Sequence, residues 1–543
     1  MMGGMVTRHR SPSAALRRFG FRQTIKGAII IGLITGLMMG AQGAAYAKAF
    51  PDTASREKLV TSLSLVSGIN FLSGEVANAA RPDSYAIYKS IAMMTLVTAA
   101  WGMLVTTRLL RGFEEDGRLE LLQAGSVSRR RTSAGLLTGF AGSFFVAMML
   151  TFLFVAGLGR DPVVALSSSG AAYMTLAVFM PGLCFAALGV MTSQLANTRA
   201  RAVQYALILY VLFFVLRGSA NSITSVDWLK KLSPFGWSDL LNPVLGVRPL
   251  WLLPTLIFSS VFTGLGLYWS GRRDLNEALL RRSDTVRSHY YLLRTPFQLA
   301  ARQHIANAFY WGLGIVSYAA FFAALANFST KLAGDSPAFK KAFLATSDNE
   351  LKLLFIGAGT LLIATALLVM ITVFVSAMRR DEAKSYLDNL LVQPVSRQRW
   401  LAGRLGLIAL VFMIIALLSA VVTWAVARHI NVELGLWAAL ATYASLAGVL
   451  ALTLGVGAFF YGFWPRLAAS AMSILIGWAF VVDILKSFFH LNSAITKTSI
   501  LNYISLNPSA TPDWRPISVL IAIGLVLAAL GVARFGRRDI VSE

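Results

Sequence analysis

Apolar stretches of about 20 residues recur along the whole chain, and short charged segments separate them. A run of that length matches the ~30 Å hydrocarbon core of a bilayer, where no water is present to bond exposed backbone groups. Only a helix satisfies its own backbone inside such a segment, so the pattern predicts an all-α integral membrane protein. The expected spans are residues 27–47, 85–107, 134–157, 171–193, 203–216, 250–270, 309–327, 351–376, 402–426, 436–463, 467–485 and 516–533. That makes about twelve transmembrane helices, with both termini on one side. Composition agrees: 56% of the 543 residues are hydrophobic and 14% are charged. The formal charge of +24 could suggest nucleic acid, but about 31 of the 49 Lys and Arg fall on the side that alternating topology makes cytoplasmic. That placement follows the positive-inside rule and sets the cations against anionic lipid, so no nucleic-acid partner is expected.

One charged segment is written twice. Arg111 to Arg131 reads RGFEEDGRLELLQAGSVSRRR, and Arg379 to Arg399 reads RRDEAKSYLDNLLVQPVSRQR. Superposed without a gap, Arg111 meets Arg379, Glu114 meets Glu382, Leu119 meets Leu387 and Leu122 meets Leu390. Ser128-Arg129 then meets Ser396-Arg397. Each copy predicts a helix that starts in acidic residues, as suits a helix N-terminus, with leucines on one face. A turn follows (Gly125-Ser126, Gln393-Pro394), then a basic cluster. Gly271-Arg272-Arg273-Asp274 and Gly536-Arg537-Arg538-Asp539 each follow the last span of a half and mark the same repeat. The expected organisation is therefore two tandem six-helix repeats. Residues 1–275 form the first membrane domain, 276–305 a basic linker with an interfacial helix, and 306–543 the second domain.

The doubled loop, with its acidic helix, Leu-Glu-Leu-Leu and Val-Ser-Arg turn, resembles the cytoplasmic loop of ATP-binding-cassette type-2 exporter permeases. Over nearly its whole length the chain is similar to the fused-half polyketide-antibiotic exporters of actinobacteria, the tetronasin-resistance type. The resemblance implies that short coupling helices at Glu114, Leu119, Leu122, Ser128 and Arg129, and at Glu382, Leu387, Leu390, Ser396 and Arg397, dock on an ATPase. The copies depart from the pattern at Ser126, where proline is common, and at Ser385, where glycine is common. Equal docking of the two loops is not implied. The resemblance also implies that the second and fifth spans of each half line a central cavity. Candidate contacts there are Met94, Trp101, Tyr205, Phe213, Met370, Phe374, Met472 and Trp478, whose pliant or broad apolar side chains suit a greasy ligand.

Several segments refine the topology. Residues 1–26 hold six cations and no acid, and residues 14–26 read as an interfacial helix. Ala45-Tyr46-Ala47 looks like the cleavage site of a secretory signal, but the matching span at 309–327 has none, so a retained first span is expected. The semi-apolar piece 59–76 reads as a surface or re-entrant helix. Pro181-Gly182 should kink the fourth span, and the fifth should stop short of Arg217 in favour of a loop to residue 249.

What the chain lacks also bears on function. No Gly-x-x-x-x-Gly-Lys-Ser/Thr loop is present, so ATP and its Mg ion belong on a separate ATPase, with two copies expected for two loops. The five histidines show no ligand spacing, no catalytic constellation is recognisable, and Cys184 stands alone. Span centres carry almost no ionisable groups; Asp483 and Lys486 sit at an outer end. A proton-coupled antiporter would need such groups in the membrane. The expected function is a multi-pass plasma-membrane permease that exports hydrophobic small molecules by alternating access, with lipid or envelope-precursor translocation as the alternative.

Overall fold

A computed structural model describes residues 12–49, 52–54, 56–57, 71, 74, 81–123, 127–162, 164–243, 246–274, 277–280, 295–327, 347–383, 387, 396–488, 492–505, 507–508 and 511–539. Among these residues every regular element is helical. Eleven helices are long and apolar enough to cross a membrane, and Ala468–Asp483 adds a shorter apolar one. The protein is an all-α integral membrane protein. Its chain folds into two compact units, residues 1–285 and 286–543.

In the first unit, α1 is Pro12–Ala49, α2 is Pro82–Thr107, α3 is Arg118–Gln123 and α4 is Arg129–Gly159. The expected interfacial helix and first span are one uninterrupted 38-residue helix. Neither Lys26 nor Gly27 interrupts it, and both parts pack against α4. Glycines bring the two backbones together in register: a Cβ on Gly20 would stand 2.6 Å from the Leu136 carbonyl, and one on Gly32 would stand 2.8 Å from that of Ala147. Thr24 bonds Ser143 at 2.7 Å and Thr35 bonds Thr151 at 2.6 Å. Rising residue numbers pair with rising numbers, so α1 and α4 run parallel and begin at the same end. Small residues with bridging hydroxyls are how membrane helices associate when lipid competes for every apolar face.

The rest of this unit is α5 (Ser168–Leu195), α6 (Arg199–Ser222), α7 (Pro234–Leu240) and α8 (Leu252–Ser270). Pro181 lies within α5 and cannot donate to the Ala177 carbonyl. The Ser238 hydroxyl of α7 donates there instead, at 2.6 Å. The expected end of the fifth span before Arg217 is corrected, since α6 continues to Ser222. Arg217 can stay inside because Asp239 receives its Nε at 2.6 Å and its Nη2 at 2.9 Å, and Asn221 adds a third bond to the same carboxylate. The expected loop to residue 249 is mostly helical, with a 3-10 stretch at Thr224–Leu232 ahead of α7. The semi-apolar piece 59–76 lies outside the described residues except for Phe71 and Gly74, which pack on Phe214 and Arg217.

In the second unit, α9 is Pro296–Ala324, α10 is Asp348–Ala383 and α11 is Arg397–His429. The tenth expected span is two helices, α12 (Leu436–Ala444) and α13 (Ala447–Phe463), parted by a turn at Ser445-Leu446. Helices α14 (Ala468–Phe488) and α15 (Trp514–Phe535) complete the unit. Helices α13 and α15 also run parallel in glycine contact, at Gly455–Gly524 and Gly462–Gly531.

Candidate functional site

The doubled segment begins where α2 widens into a π-turn at Arg108–Gly112 and continues as a helical turn at Phe113–Glu115. Wide turns of this kind rotate the residues beyond them, and they are frequent at functional positions. Here Arg111 and Glu114 both turn inward, 1% and 2% exposed. Glu114 then collects three guanidinium groups. Its Oε2 accepts from Arg111 at 3.0 Å and from Arg273 at 2.6 Å, and its Oε1 accepts from Arg129 at 3.3 Å. Arg111 also donates from Nε to the Asn197 carbonyl at 2.9 Å and from Nη1 to that of Glu277 at 3.1 Å. Arg129 donates to the Arg273 carbonyl as well. Glu115 accepts from the Arg199 backbone N–H at 2.7 Å. The Glu114 carboxylate therefore ties the end of α2 to the start of α4 and the end of α8, while Arg111 and Glu115 hold the α5–α6 turn beside it.

The second unit repeats the chemistry with fewer cations. Glu382, wholly buried at the end of α10, accepts from Arg538 at 2.6 Å and stands 3.6 Å from Arg379. Arg397 donates to the Arg538 carbonyl at 2.7 Å, as Arg129 does to that of Arg273. Oε2 of Glu382 is buried, with no hydrogen-bond partner among the described residues. Aromatic rings supply the rest of the setting. The Arg538 guanidinium lies over Tyr461 and Phe535, and Phe535 stacks on Trp400 at 5.7 Å. Arg404 covers the Trp400 ring and pairs with Asp381 at 2.7 Å and Gln303 at 3.0 Å, which joins α9 to α10 and α11.

The sequence marked the acids and the post-turn arginines, but it read the two Gly-Arg-Arg-Asp endings as repeat markers alone. The structure brings Arg273 and Arg538 of those endings onto Glu114 and Glu382. The signal that could have found them was present: an acid repeated in register in each loop and an extra arginine at a fixed place in each half.

The other candidates are placed as follows. Leu119 is buried in the first unit's core beside Phe113, and Leu122 is half-buried. The leucine that α3 turns outward is Leu121, 79% exposed. Leu387 is fully buried, while Leu390 and the turn at Gln393-Pro394 lie outside the described residues, as do Gly125-Ser126. Ser128 and Ser396 are exposed N-cap residues of α4 and α11, and Ser396 accepts from the Arg399 N–H. Of the cavity candidates, Met94, Trp101, Met370, Phe374 and Met472 are buried within their own units. Trp101 stacks on Phe144 at 5.7 Å, and Phe374 meets His304 at 5.2 Å. Phe213 packs on Phe185 and Phe258. Tyr205 borders a cavity of about 680 Å³ that Arg272, Arg273 and Glu277 also line. Trp478 is exposed and donates to Thr498 at 2.9 Å.

Comparison with known proteins gives two concordant matches. A curated protein named multidrug efflux system permease protein Rv1217c, from Mycobacterium tuberculosis, is 25% identical over 508 residues, covering 90% of this chain and 88% of its own length. The family described as multidrug efflux system permease Rv1217c, C-terminal domain, matches residues 19–269 and 293–536. Those two stretches take in Glu114 and Glu382 with Arg129 and Arg397, stop just short of Arg273 and Arg538, and leave out only the ends and the central linker, so this chain belongs to that multidrug efflux permease family.

Proposed function

We propose that this permease is powered by a separate ATP-binding-cassette ATPase, two copies of which engage the chain at its two acidic loops. ATP and Mg bind on that partner. The cargo is a hydrophobic small molecule of the polyketide-antibiotic kind, carried out by alternating access. The chain sits in the plasma membrane with both termini and both loops in the cytoplasm.

The observation that carries the reading is the clamp at Glu114. A loop that merely joined two spans would be solvated. This one is bolted through ion pairs of the buried Glu114 to the start of α4 and the end of α8, so a push on α3 is delivered to both together. Leu121 is the apolar side chain that α3 leaves outside, and it is the anchor that fits a groove on a partner. A well-buried anchor of this sort contributes about 2 kcal/mol or more.

The test is co-purification with a candidate ATPase, followed by hydrolysis assays against a panel of hydrophobic antibiotics. The pair should hydrolyse ATP with cargo stimulation, and the permease alone should neither bind nor hydrolyse it. Leu121→Asp should weaken the pair about 30-fold while the permease stays folded. Cargo transport by the chain alone, driven by a proton gradient in liposomes, would overturn the proposal.

A further inference from the structure

Where α1 and α4 begin, side by side at the same end, they enclose a cavity of about 530 Å³. Leu16 and Ala134 give it an apolar floor, and Arg17 and Arg131 stand at its walls with Ser13 and Thr138. Both arginines are exposed. Arg17 bonds only back to the Ser13 carbonyl, at 3.3 Å, and neither arginine meets a carboxylate among the described residues. This contrasts with Arg111, Arg129 and Arg273 in the same unit, which share the Glu114 carboxylate. Two guanidinium groups with no carboxylate partner among the described residues, beside one cavity, suit an anion. Their planar forks match the oxygens of a phosphate diester, which can accept two parallel N–H bonds from each.

The surroundings say which anion. Thr138 opens an exposed stripe on α4 that continues through Phe145, Met149 and Leu153, and this stripe is apolar along the bilayer span. A ligand with its charge between Arg17 and Arg131 would have hydrocarbon surface directly beside it. Inorganic phosphate has no use for such a wall, whereas a phospholipid uses both parts. We propose that this cavity is a binding site for an anionic phospholipid, with the headgroup phosphate held by Arg17 and Arg131. Ser13 and Thr138 hydroxyls face the glycerol portion, and an acyl chain lies along the α4 stripe. Because α1 is locked to α4 by glycine contacts, a lipid there rests on both helices and favours their paired arrangement.

The test uses the full chain, purified in detergent and stripped of lipid, with added phosphatidylglycerol, phosphatidylcholine or inorganic phosphate. Native mass spectrometry reads retention, and thermal unfolding reads stabilisation. Wild type should retain phosphatidylglycerol and unfold at a higher temperature with it, with no such response to phosphatidylcholine or phosphate. The double variant R17Q/R131Q should bind about tenfold more weakly or worse, while its unfolding temperature without lipid stays at the wild-type value. The control R18Q/R22Q removes two exposed cations of α1 that do not line the cavity, and it should bind as wild type does. Equal loss in the control would reduce the site to general surface attraction and overturn the proposal. Undiminished retention by R17Q/R131Q, or displacement of the lipid by inorganic phosphate, would overturn it as well.

Discussion

Replacing Glu114 by glutamine removes one charge and almost no volume, so it isolates the electrostatics of the first clamp. Arg111 and Arg273 would be left buried at 1% and 4% exposure with the Glu114 charge gone, and the half-buried Arg129 would lose its ion pair with Glu114. Breaking a buried pair by deleting one partner costs about 3–5 kcal/mol. Arg111 keeps the carbonyls of Asn197 and Glu277, and Arg273 keeps Gln194 and the Glu277 carbonyl, which places the expected loss near the lower limit, about 3 kcal/mol. Glu382→Gln should cost less, about 1–2 kcal/mol. There one strong contact is lost, to Arg538, together with a 3.6 Å approach to Arg379. Unfolding in mixed micelles, followed by tryptophan fluorescence, measures both variants. A double-mutant cycle of Glu114→Gln with Arg273→Gln should return a coupling of about 2 kcal/mol. A Glu114→Gln protein within about 0.5 kcal/mol of wild type, or no less stable than Glu382→Gln, would refute this account of the clamp.

Two further outcomes are expected. Gly32→Leu should force α1 away from Ala147 of α4 and cost about 1–3 kcal/mol, read as a lower unfolding temperature, whereas Gly157→Leu on α4, where a side chain meets open space, should cost far less. Arg217→Met should leave the half-buried Asp239 beside Asn221 without its cation and destabilise the α6–α7 region by about 2 kcal/mol; removing both charges as Arg217→Met/Asp239→Asn should recover part of it, as seen in protection of the α7 amides from hydrogen exchange.

The twelve apolar runs were legible because a membrane helix satisfies its backbone within its own segment, so its existence depends on local composition alone. Each of those runs is helical in the structure, although the tenth is split at Ser445-Leu446. The boundaries were less legible wherever a charge had a distant partner. Arg217 reads as the edge of a span until Asp239 is known to neutralise it inside. Lys26-Gly27 reads as a joint until α4 is seen packed along both sides of it.

The site divides in the same way. The repeat of Glu114 and Glu382 with Arg129 and Arg397 is a statement about order along the chain, and the sequence alone determined it. That Arg273 and Arg538 close the clamps is a statement about pairs 159 and 156 residues apart. It depends on how the last helix of each unit returns beside the second, which no local pattern encodes. The same holds for the leucines of α3. Periodicity placed Leu119 and Leu122 on a common face, but the π-turn and the Asp116-Gly117 turn before them set which way that face points, and they carry Leu119 into the core and Leu121 outward. Local composition decides that a helix forms in lipid, because its hydrogen bonds close within four residues. Which charges meet, and which side chains remain free to meet something else, is decided by contacts that exist only after the helices have packed.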